Sequence, residues 1–307
     1  MKPKEARRCF RLGSGRFINV PCEPGRSPAP KTPTIWPSLP SPGLHRGESK
    51  NPPGQGSRLL GQPPPGTVVT LLGCGSVGCS VGCYLADMGC DLIAIDRDVV
   101  EAVNIQGRRT GYPERMIGMP KAMALAQMLK EWGCKASVHA IHCGLEKFSD
   151  DELQALAHGS AAVAALLDDA PELFRLNRAL YNRARVVYAA FHRGAASGHV
   201  FWTAPGVPCL KCALGLRSPD GLHTLHAEPA LPLDIQRISQ VTARVVLWLV
   251  APEGSDAQGL LDPSRNILFL HNRPSEDLER ALSAELLPAD IDPDCDVCGA
   301  FLNRERG

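Results

Sequence analysis

The first feature of this sequence that could take part in chemistry is a glycine-rich loop followed by an acidic residue. Gly73-Cys74-Gly75-Ser76-Val77-Gly78 fits the pattern G-x-G-x-x-G, and Asp96 follows further along the chain. The first glycine permits a tight turn, the second lets a ligand approach the backbone, and the third allows close helix packing. Free backbone amides at the start of a helix favour the binding of an anionic phosphate, and Asp96 can accept hydrogen bonds from ribose hydroxyls. The pattern predicts a nucleotide site; the alternative is a tight strand-to-helix turn that binds nothing.

Two C-x-x-C pairs form a second feature, Cys209 with Cys212 and Cys295 with Cys298. Each pair can supply two corners of a tetrahedral zinc site with Zn–S bonds of about 2.3 Å, and two pairs complete a closed structural site. A redox C-x-x-C is expected at a helix N-terminus beside a strand and needs no second copy. The pairs therefore predict zinc.

The elements that position these residues alternate between strands and helices. An apolar run at 67–72 enters Gly73, and helical character follows at 76–88. Apolar periodicity predicts the remaining elements. The strands are expected at 92–95, 136–141, 161–167 and 186–191, and the helices at 121–132, 150–157, 171–183 and 235–250. Such alternation predicts an α/β fold, a Rossmann-like, doubly wound and mostly parallel sheet with helices on both faces.

Sheets of this kind bind ligands at the carboxyl ends of their strands. Gly73, Asp96 and Asp168 each come at or just past a predicted strand end, so we expect them on one rim of the sheet. To this point the pattern fits a nicotinamide-dependent dehydrogenase as well as an enzyme that uses ATP.

Composition divides the chain into two regions. Residues 1–66 include a stretch dense in Pro, Gly and Ser, which we expect to be disordered or extended, and residues 67–307 form the predicted α/β domain with its cysteine pairs. The net charge of +1 gives no electrostatic basis for nucleic-acid binding. No apolar run is long enough to cross a bilayer, and no secretory signal is apparent. We therefore expect a soluble, cytoplasmic protein whose cysteines are reduced, which favours metal over disulfides.

The residues after Asp96 distinguish the two kinds of enzyme. They read D-R-D-V-V-E-A-V-N-I-Q-G-R-R over 96–109, followed by G-M-P-K over 118–121. This resembles the signature D-x-D-x-V-x-x-x-N-x-x-R, then G-x-x-K, of the ThiF, MoeB and HesA group and the E1 ubiquitin-activating enzymes. Dehydrogenases do not share it. The resemblance extends from Thr67 to the C-terminus and implies the E1/ThiF adenylation fold.

The resemblance implies an adenylation site that binds ATP with Mg²⁺, where a C-terminal glycine carboxylate attacks the α-phosphate. Asp96 would hold the ribose, and Asn104, Arg108 and Lys121 would contact the phosphates. Gly107 is an insertion relative to the signature, and Arg108 is preferred over Arg109 because its spacing to Lys121 matches the family. Without the resemblance, Arg108 and Lys121 would be read as solvated surface charges.

The family also has a Mg²⁺-binding Asp after a later strand, often in D-x-x-D-N. Here the strand runs into Asp168-Asp169, and Ala170 stands where Asn is expected. Either carboxylate suits a hard cation. We expect one acid to bind the metal and the other to cap the following helix.

The resemblance therefore assigns catalysis to Arg108, Lys121 and Asp169. It assigns ATP binding to residues of the glycine loop, the signature and the later acids. These are Gly73, Gly75, Ser76, Gly78, Asp96, Asp98, Asn104, Arg108, Lys121, Asp168 and Asp169.

In relatives the two C-x-x-C turns, called zinc knuckles, tie the C-terminus back to the adenylation domain. The expected role of zinc is therefore structural. Many relatives also carry a cysteine in the crossover segment, here 213–232, that accepts the carrier as a thioester or persulfide. This segment contains His223 and His226 but no cysteine. Among the remaining cysteines, Cys134 and Cys143 are the best candidates to accept the carrier. A MoeB-like enzyme that leaves thiol or sulfur transfer to another protein is the simplest interpretation.

Relatives commonly begin with an R-Y-x-R-Q helix whose arginine reaches the neighbouring subunit's ATP. No such string occurs here, and neither Arg46 nor Arg58 lies in a helical pattern. Homodimerisation is expected by analogy alone.

We therefore predict ATP-dependent adenylation of the C-terminal glycine carboxylate of a ubiquitin-like or sulfur-carrier protein, with release of pyrophosphate. One alternative is a catalytically silent module that binds a ubiquitin-like partner. The other, a nicotinamide-dependent oxidoreductase, leaves Asn104, Arg108, Lys121 and the cysteine pairs unexplained.

Overall fold

The computed structural model describes most of the chain beyond residue 61 and two short strands before it. The described ranges are 7–11, 17–21, 62–106, 111–203, 207–215, 230–251, 265–274, 281–287 and 289–299.

An eight-stranded sheet forms the centre of the fold. Its strands are β3 (Val68–Leu72), β4 (Asp91–Asp96), β5 (Val138–His142), β6 (Ala162–Ala165), β7 (Val186–Phe191), β8 (Ser197–Thr203), β9 (Ile267–His271) and β10 (Ser283–Leu287). They lie in the order β10-β9-β8-β7-β6-β3-β4-β5. All neighbouring strands from β5 to β7 in this order are parallel, and β8, β9 and β10 join antiparallel beyond β7.

Helices cover both faces of this sheet. The α-helices are α1 (Ser76–Asp87), α2 (Ala102–Gln106), α3 (Lys121–Glu131), α4 (Asp150–His158), α5 (Ala170–Leu180), α6 (Leu210–Ala213) and α7 (Pro232–Val250). Short 3₁₀ turns lie at Glu114–Met116, Leu145–Lys147 and Arg193–Ala195.

Alternate side chains of each strand enter opposite cores, because successive residues of a strand point to opposite faces. On β4, Leu92 and Ala94 pack in the core that α1, α3 and α7 cover. Ile93 and Ile95 pack in the other core, beneath α4 and α5. The parallel strands are thus apolar on both faces, as expected of a doubly wound sheet. The predicted fold class is confirmed.

The predicted helices and parallel strands are all present, with small differences at their ends. The largest are at helix ends, since α5 was expected over 171–183 but ends at Leu180, and α7 was expected from 235 but begins at Pro232. Strand β6 was expected over 161–167 but ends at Ala165. The Leu166 carbonyl instead lies against the glycine loop, 2.5 Å from where a Gly73 Cβ would stand. The three antiparallel strands β8, β9 and β10 were not predicted.

The N-terminal region contains two paired strands that the sequence did not predict. Strands β1 (Arg7–Arg11) and β2 (Phe17–Pro21) pair antiparallel. The division of the chain at residue 66 stays a prediction. Among the described residues, no helix combines the length and apolar character needed to cross a membrane.

Candidate adenylation site and cysteine cluster

The predicted nucleotide-binding residues that the structure describes gather on one rim of the sheet. Strands β3, β4 and β6 are parallel neighbours, so their carboxyl ends reach the same edge. Gly73 follows β3, Asp96 ends β4, and Asp168 follows β6. The alignment of these three strand ends agrees with the sequence prediction.

The loop from Gly73 to Gly78, called the phosphate loop below, is tightly folded on the protein side and open on the other. Gly73 has a φ of +91°. A Cβ on Gly78 would stand 2.0 Å from the Gly73 carbonyl oxygen, so only glycine fits there. A Cβ on Gly75 would meet nothing within 4 Å. The space over Gly75 is therefore available to a ligand.

Helix α1 begins at Ser76 with its first amides available to an anion. Gly75 is the N-cap and supplies no side-chain hydrogen bond, and the first turn contains no acidic residue. The first N–H groups of a helix have no partner within the helix and carry the positive end of its dipole. A phosphate above Gly75 would satisfy these donors.

Asp96 is held in place by two backbone amides. Its Oδ2 accepts from Cys74 N at 2.6 Å, and its Oδ1 accepts from Asp98 N at 2.7 Å. Burial raises the pKa of Asp96, and these backbone bonds partly oppose the rise. Each carboxylate oxygen keeps a further lone pair, so Asp96 can still accept from a ribose hydroxyl.

The Lys121 side chain turns back towards the end of β4. Its Nζ donates to Asp98 Oδ2 at 2.9 Å, and its backbone N donates to the Asp98 carbonyl at 2.9 Å. The side chain is only 12% exposed. Its charge opposes the burial-driven rise in the pKa of both Asp96 and Cys74. Lys121 does not point away from the rim.

Asn104 has one side of its amide available for the role that the signature predicts. It is buried, and its Oδ1 accepts from the Glu101 backbone N at 2.9 Å. The acceptor side of the amide is thus used by the local turn, which leaves the donor side to contact a phosphate. Arg108, the preferred cation of the signature, lies outside the described residues, as do Gly107 and Arg109.

The two neighbouring acids differ in role. Asp169 is the N-cap of α5, and its Oδ1 accepts from Glu172 N at 3.2 Å. The Arg97 guanidinium lies 3.5 Å from the other oxygen of Asp169. Asp168 is exposed at the rim. The structure therefore gives the cap to Asp169, and Asp168 is the acid left for a metal.

The site contains one group that sequence reasoning did not identify, the Tyr112 hydroxyl. It lies 2.8 Å from the Cys74 carbonyl oxygen and 3.1 Å from the Lys121 carbonyl oxygen. Tyr112 matches no part of the signature, and no spacing rule connects it with either carbonyl. Only the folded chain shows this contact.

The four cysteines of the C-x-x-C pairs, called the cysteine cluster below, meet as predicted. The Sγ atoms of Cys209, Cys212, Cys295 and Cys298 all lie within 4.8 Å of one another. The Sγ atoms of Cys209 and Cys295 are 3.6 Å apart, and those of Cys212 and Cys298 are 3.3 Å apart. Tetrahedral zinc with bonds of about 2.3 Å separates its sulfurs by about 3.8 Å. The arrangement fits a four-thiolate zinc site.

The thiols of the cysteine cluster differ in acidity. A hydrogen bond from Cys298 lowers the pKa of the Cys209 thiol to about 5. Burial raises the pKa of Cys212 to about 12. These thiols do not all ionise near neutral pH on their own, whereas a divalent cation stabilises all the thiolates together.

The cluster is fastened to the sheet domain through α5. The Asn177 Oδ1 accepts from Leu210 N at 2.9 Å, and the Tyr181 hydroxyl donates to the Val207 carbonyl at 2.6 Å. Lys211 pairs with Asp296 across the two knuckles. A metal here would tie residues far apart in sequence to the helix that Asp169 caps.

None of the candidate acceptor thiols is well placed at the site. Cys134 precedes β5, at the edge of the sheet opposite the phosphate loop. Cys143 follows β5 on the correct rim but is buried. Burial raises the pKa of Cys74 well above its usual range, which keeps this thiol protonated and unreactive. His223, His226, Arg46 and Arg58 lie outside the described residues.

Comparison with known proteins gives consistent matches. A sequence profile described as the ThiF family matches residues 67–251. The molybdopterin-synthase adenylyltransferase of Salmonella typhimurium is 26% identical over 193 residues, which cover 62% of this chain and 76% of that protein. The adenylyltransferase and sulfurtransferase MOCS3 of Danio rerio is 27% identical over 152 residues, 49% of this chain and 32% of MOCS3.

Solved structures show the same fold. E. coli MccB with ATP has a TM-score of 0.59 at 18% identity, over 76% of this chain and 67% of that chain. The microcin C7 biosynthetic enzyme MccB with N-formylated MccA has a TM-score of 0.61 at 17% identity, over 78% and 68% of the two chains.

Proposed function

Because the chain belongs to the ThiF family and is an adenylyltransferase, as its relatives are, we propose that it activates the C-terminal glycine carboxylate of a ubiquitin-like or sulfur-carrier protein. The co-substrate is ATP, and the products are a carrier acyl-adenylate and pyrophosphate. The sequence signature and the geometry of the rim both support this reaction.

The position of Lys121 is the observation that carries the proposal. A cation that is only 12% exposed pairs with Asp98 just past the end of β4. The Lys121 backbone carbonyl contacts the Tyr112 hydroxyl, which also contacts Cys74 of the phosphate loop. A buried ammonium is costly unless anions surround it. Asp98 supplies one such anion, and the phosphates of ATP above Gly75 would supply more.

The reaction needs positioning and charge stabilisation more than bond-making groups from the protein. A carrier carboxylate oxygen forms a bond to the α-phosphorus, and the bond from that phosphorus to the bridging oxygen of pyrophosphate breaks. Negative charge accumulates on the leaving pyrophosphate, and cations directed at it lower the barrier. The α1 amides and Lys121 supply this stabilisation, and we assign Arg108 to the same role from the signature.

The remaining assignments concern the nucleoside and the metal. Asp96, which two backbone amides hold in place, accepts from the ribose. Asn104 donates to a phosphate through its amide nitrogen. Asp168 would hold Mg²⁺, because its neighbour Asp169 is used by the α5 cap; the bound ion neutralises phosphate charge.

Two partner assignments follow from the family rather than from the described residues. The segment 213–232 has no cysteine, so we propose that a separate protein takes the activated carrier for thiol or sulfur transfer. We also propose a homodimer.

Carrier-dependent pyrophosphate exchange tests the proposal. Radiolabelled pyrophosphate is incubated with the purified chain, Mg·ATP and a small β-grasp protein that ends in Gly-Gly and is encoded by a neighbouring gene. We expect label to enter ATP only when the carrier has its free C-terminal glycine. The same carrier without that glycine is the matched control.

Two outcomes contradict the proposal in different ways. Binding of Mg·ATP without exchange for any Gly-Gly carrier favours a silent binding module. Absence of Mg·ATP binding, together with nicotinamide binding, supports an oxidoreductase instead.

A further inference from the structure

Tyr112 lies between the two groups proposed to contact the phosphates. Its side chain is buried, and its hydroxyl approaches the Cys74 carbonyl oxygen at 2.8 Å and the Lys121 carbonyl oxygen at 3.1 Å. Cys74 belongs to the phosphate loop, and Lys121 is the first residue of α3. One hydroxyl therefore joins the loop to the start of the helix that carries the cation.

The hydroxyl also completes a closed ring of hydrogen bonds. On the nucleoside side, Cys74 N and Asp98 N both donate to Asp96, and Lys121 N donates to the Asp98 carbonyl. On the other side, the Tyr112 hydroxyl connects Lys121 back to Cys74. A hydroxyl has a single proton, which the two carbonyl oxygens share in a three-centre hydrogen bond with the Cys74 carbonyl as the nearer acceptor. Loss of the hydroxyl opens the ring on one side and leaves the Asp96 bonds intact.

The surroundings keep Tyr112 in its donor form. Burial raises its pKa well above the usual range, and the nearby Cys79, Cys74 and Asp96 add to the rise. The hydroxyl remains protonated through the neutral and mildly alkaline range, so its bond to the loop persists under the conditions of the reaction.

We propose that Tyr112 is a positioning residue that fixes the distance between the phosphate-loop amides and the Lys121 ammonium, and thereby sets the affinity for the triphosphate. The inference rests on the proposed function only in requiring that ATP binds at this rim. Because Asp96 keeps its own partners, recognition of the nucleoside does not depend on Tyr112.

A pair of tyrosine variants separates positioning from general stability. Tyr112→Phe removes the hydroxyl and keeps the buried ring. Tyr181→Phe is the matched control, since its hydroxyl also donates to a backbone carbonyl, Val207 at 2.6 Å, beside the cysteine cluster. Thermal unfolding, titration calorimetry with Mg·ATP and ligand-observed NMR with adenosine are measured for both variants and the unaltered chain.

We expect both variants to unfold at lower temperature, because each loses a buried hydrogen bond. Only Tyr112→Phe should bind Mg·ATP more weakly, by about 5- to 10-fold, which corresponds to one such bond. Its affinity for adenosine should be unchanged. This ATP-specific loss is a readout that a purely structural role does not produce.

The alternatives are distinguishable. If the unaltered chain binds no Mg·ATP, the proposed function and this inference fail together. If it binds but Tyr112→Phe has the same ATP affinity, or loses ATP and adenosine affinity equally, the positioning role is wrong and the proposed function stands.

Discussion

Replacement of Lys121 by methionine is the strongest test of the adenylation site. The change keeps most of the aliphatic stem and removes the charge. A unit charge about 4 Å from a phosphate, at an effective dielectric of about 20, contributes roughly 4 kcal/mol. Lys121 is only 12% exposed, so solvent screens this interaction weakly. The ion pair with Asp98 is worth far less to folding, about 0–1 kcal/mol, because Asp98 is 56% exposed.

Activity should therefore fall much more than stability. We expect kcat for pyrophosphate exchange to drop by about 10²–10³-fold, the usual effect of removing one preorganised group that stabilises developing charge. KM for ATP should change less, since the largest charge develops in the transition state. The melting temperature should shift slightly.

Arg115→Met is the matched control. Arg115 is an exposed cation that pairs with Glu131, and it has no role at the site. It should lose comparable stability and keep full activity. The reasoning is refuted if Lys121→Met forms acyl-adenylate at an undiminished rate.

The remaining predictions concern the glycines, the two acids and the metal. Gly78→Ala should destabilise the fold by about 1–3 kcal/mol in denaturant titrations, because its Cβ would stand 2.0 Å from the Gly73 carbonyl oxygen. Gly75→Ala should leave stability nearly unchanged and weaken Mg·ATP binding, since its Cβ enters the open space above the loop; equal effects of the two changes on stability would contradict the geometry. Asp169→Ala should lower the free energy of unfolding by about 1 kcal/mol through the lost helix cap. Asp168→Asn should raise the Mg²⁺ concentration needed for half-maximal pyrophosphate exchange about 10-fold. If Asp169 were the metal ligand and Asp168 the cap, the two variants would show the opposite results. Cys295→Ser should lower the zinc content below about one ion per chain, as measured by atomic absorption, and should lower the melting temperature. Full zinc occupancy in this variant would show that Cys295 is not a ligand.

Much of the fold follows from local sequence patterns. Strand β3, the phosphate loop and α1 are predictable because a buried apolar run, glycines of known geometric use and helical periodicity occur in direct succession. The cysteine cluster is predictable from spacing, since only tetrahedral thiolate chemistry explains two C-x-x-C pairs well. The contact distances among the four sulfurs agree with that expectation.

The antiparallel strands are less visible in the sequence. Strand β8 contains His199 and Thr203 among its buried residues, so its apolar pattern is broken. Strand β9 is a short apolar run that periodicity cannot distinguish from helix. Strand β9 pairs with β8 although residues 204–266 separate them, so this pairing depends on contacts between distant parts of the chain.

The same limit applies within the site. A cap and a metal ligand were both expected at Asp168 and Asp169, but the sequence could not assign them. The hydrogen bond from Glu172 N decides that Asp169 is the cap. Tyr112 had no sequence signal at all, because its role depends on carbonyls of Cys74 and Lys121 that only folding brings together.

The order of the cysteines along the chain has a consequence for biosynthesis. A ribosome releases the β3 to β7 region and the first knuckle, Cys209 and Cys212, well before Cys295 and Cys298. Domains begin to fold as they emerge during translation. The nascent protein therefore holds half of the ligand set beside α5 for a time. A four-thiolate site can close only after Cys298 has emerged.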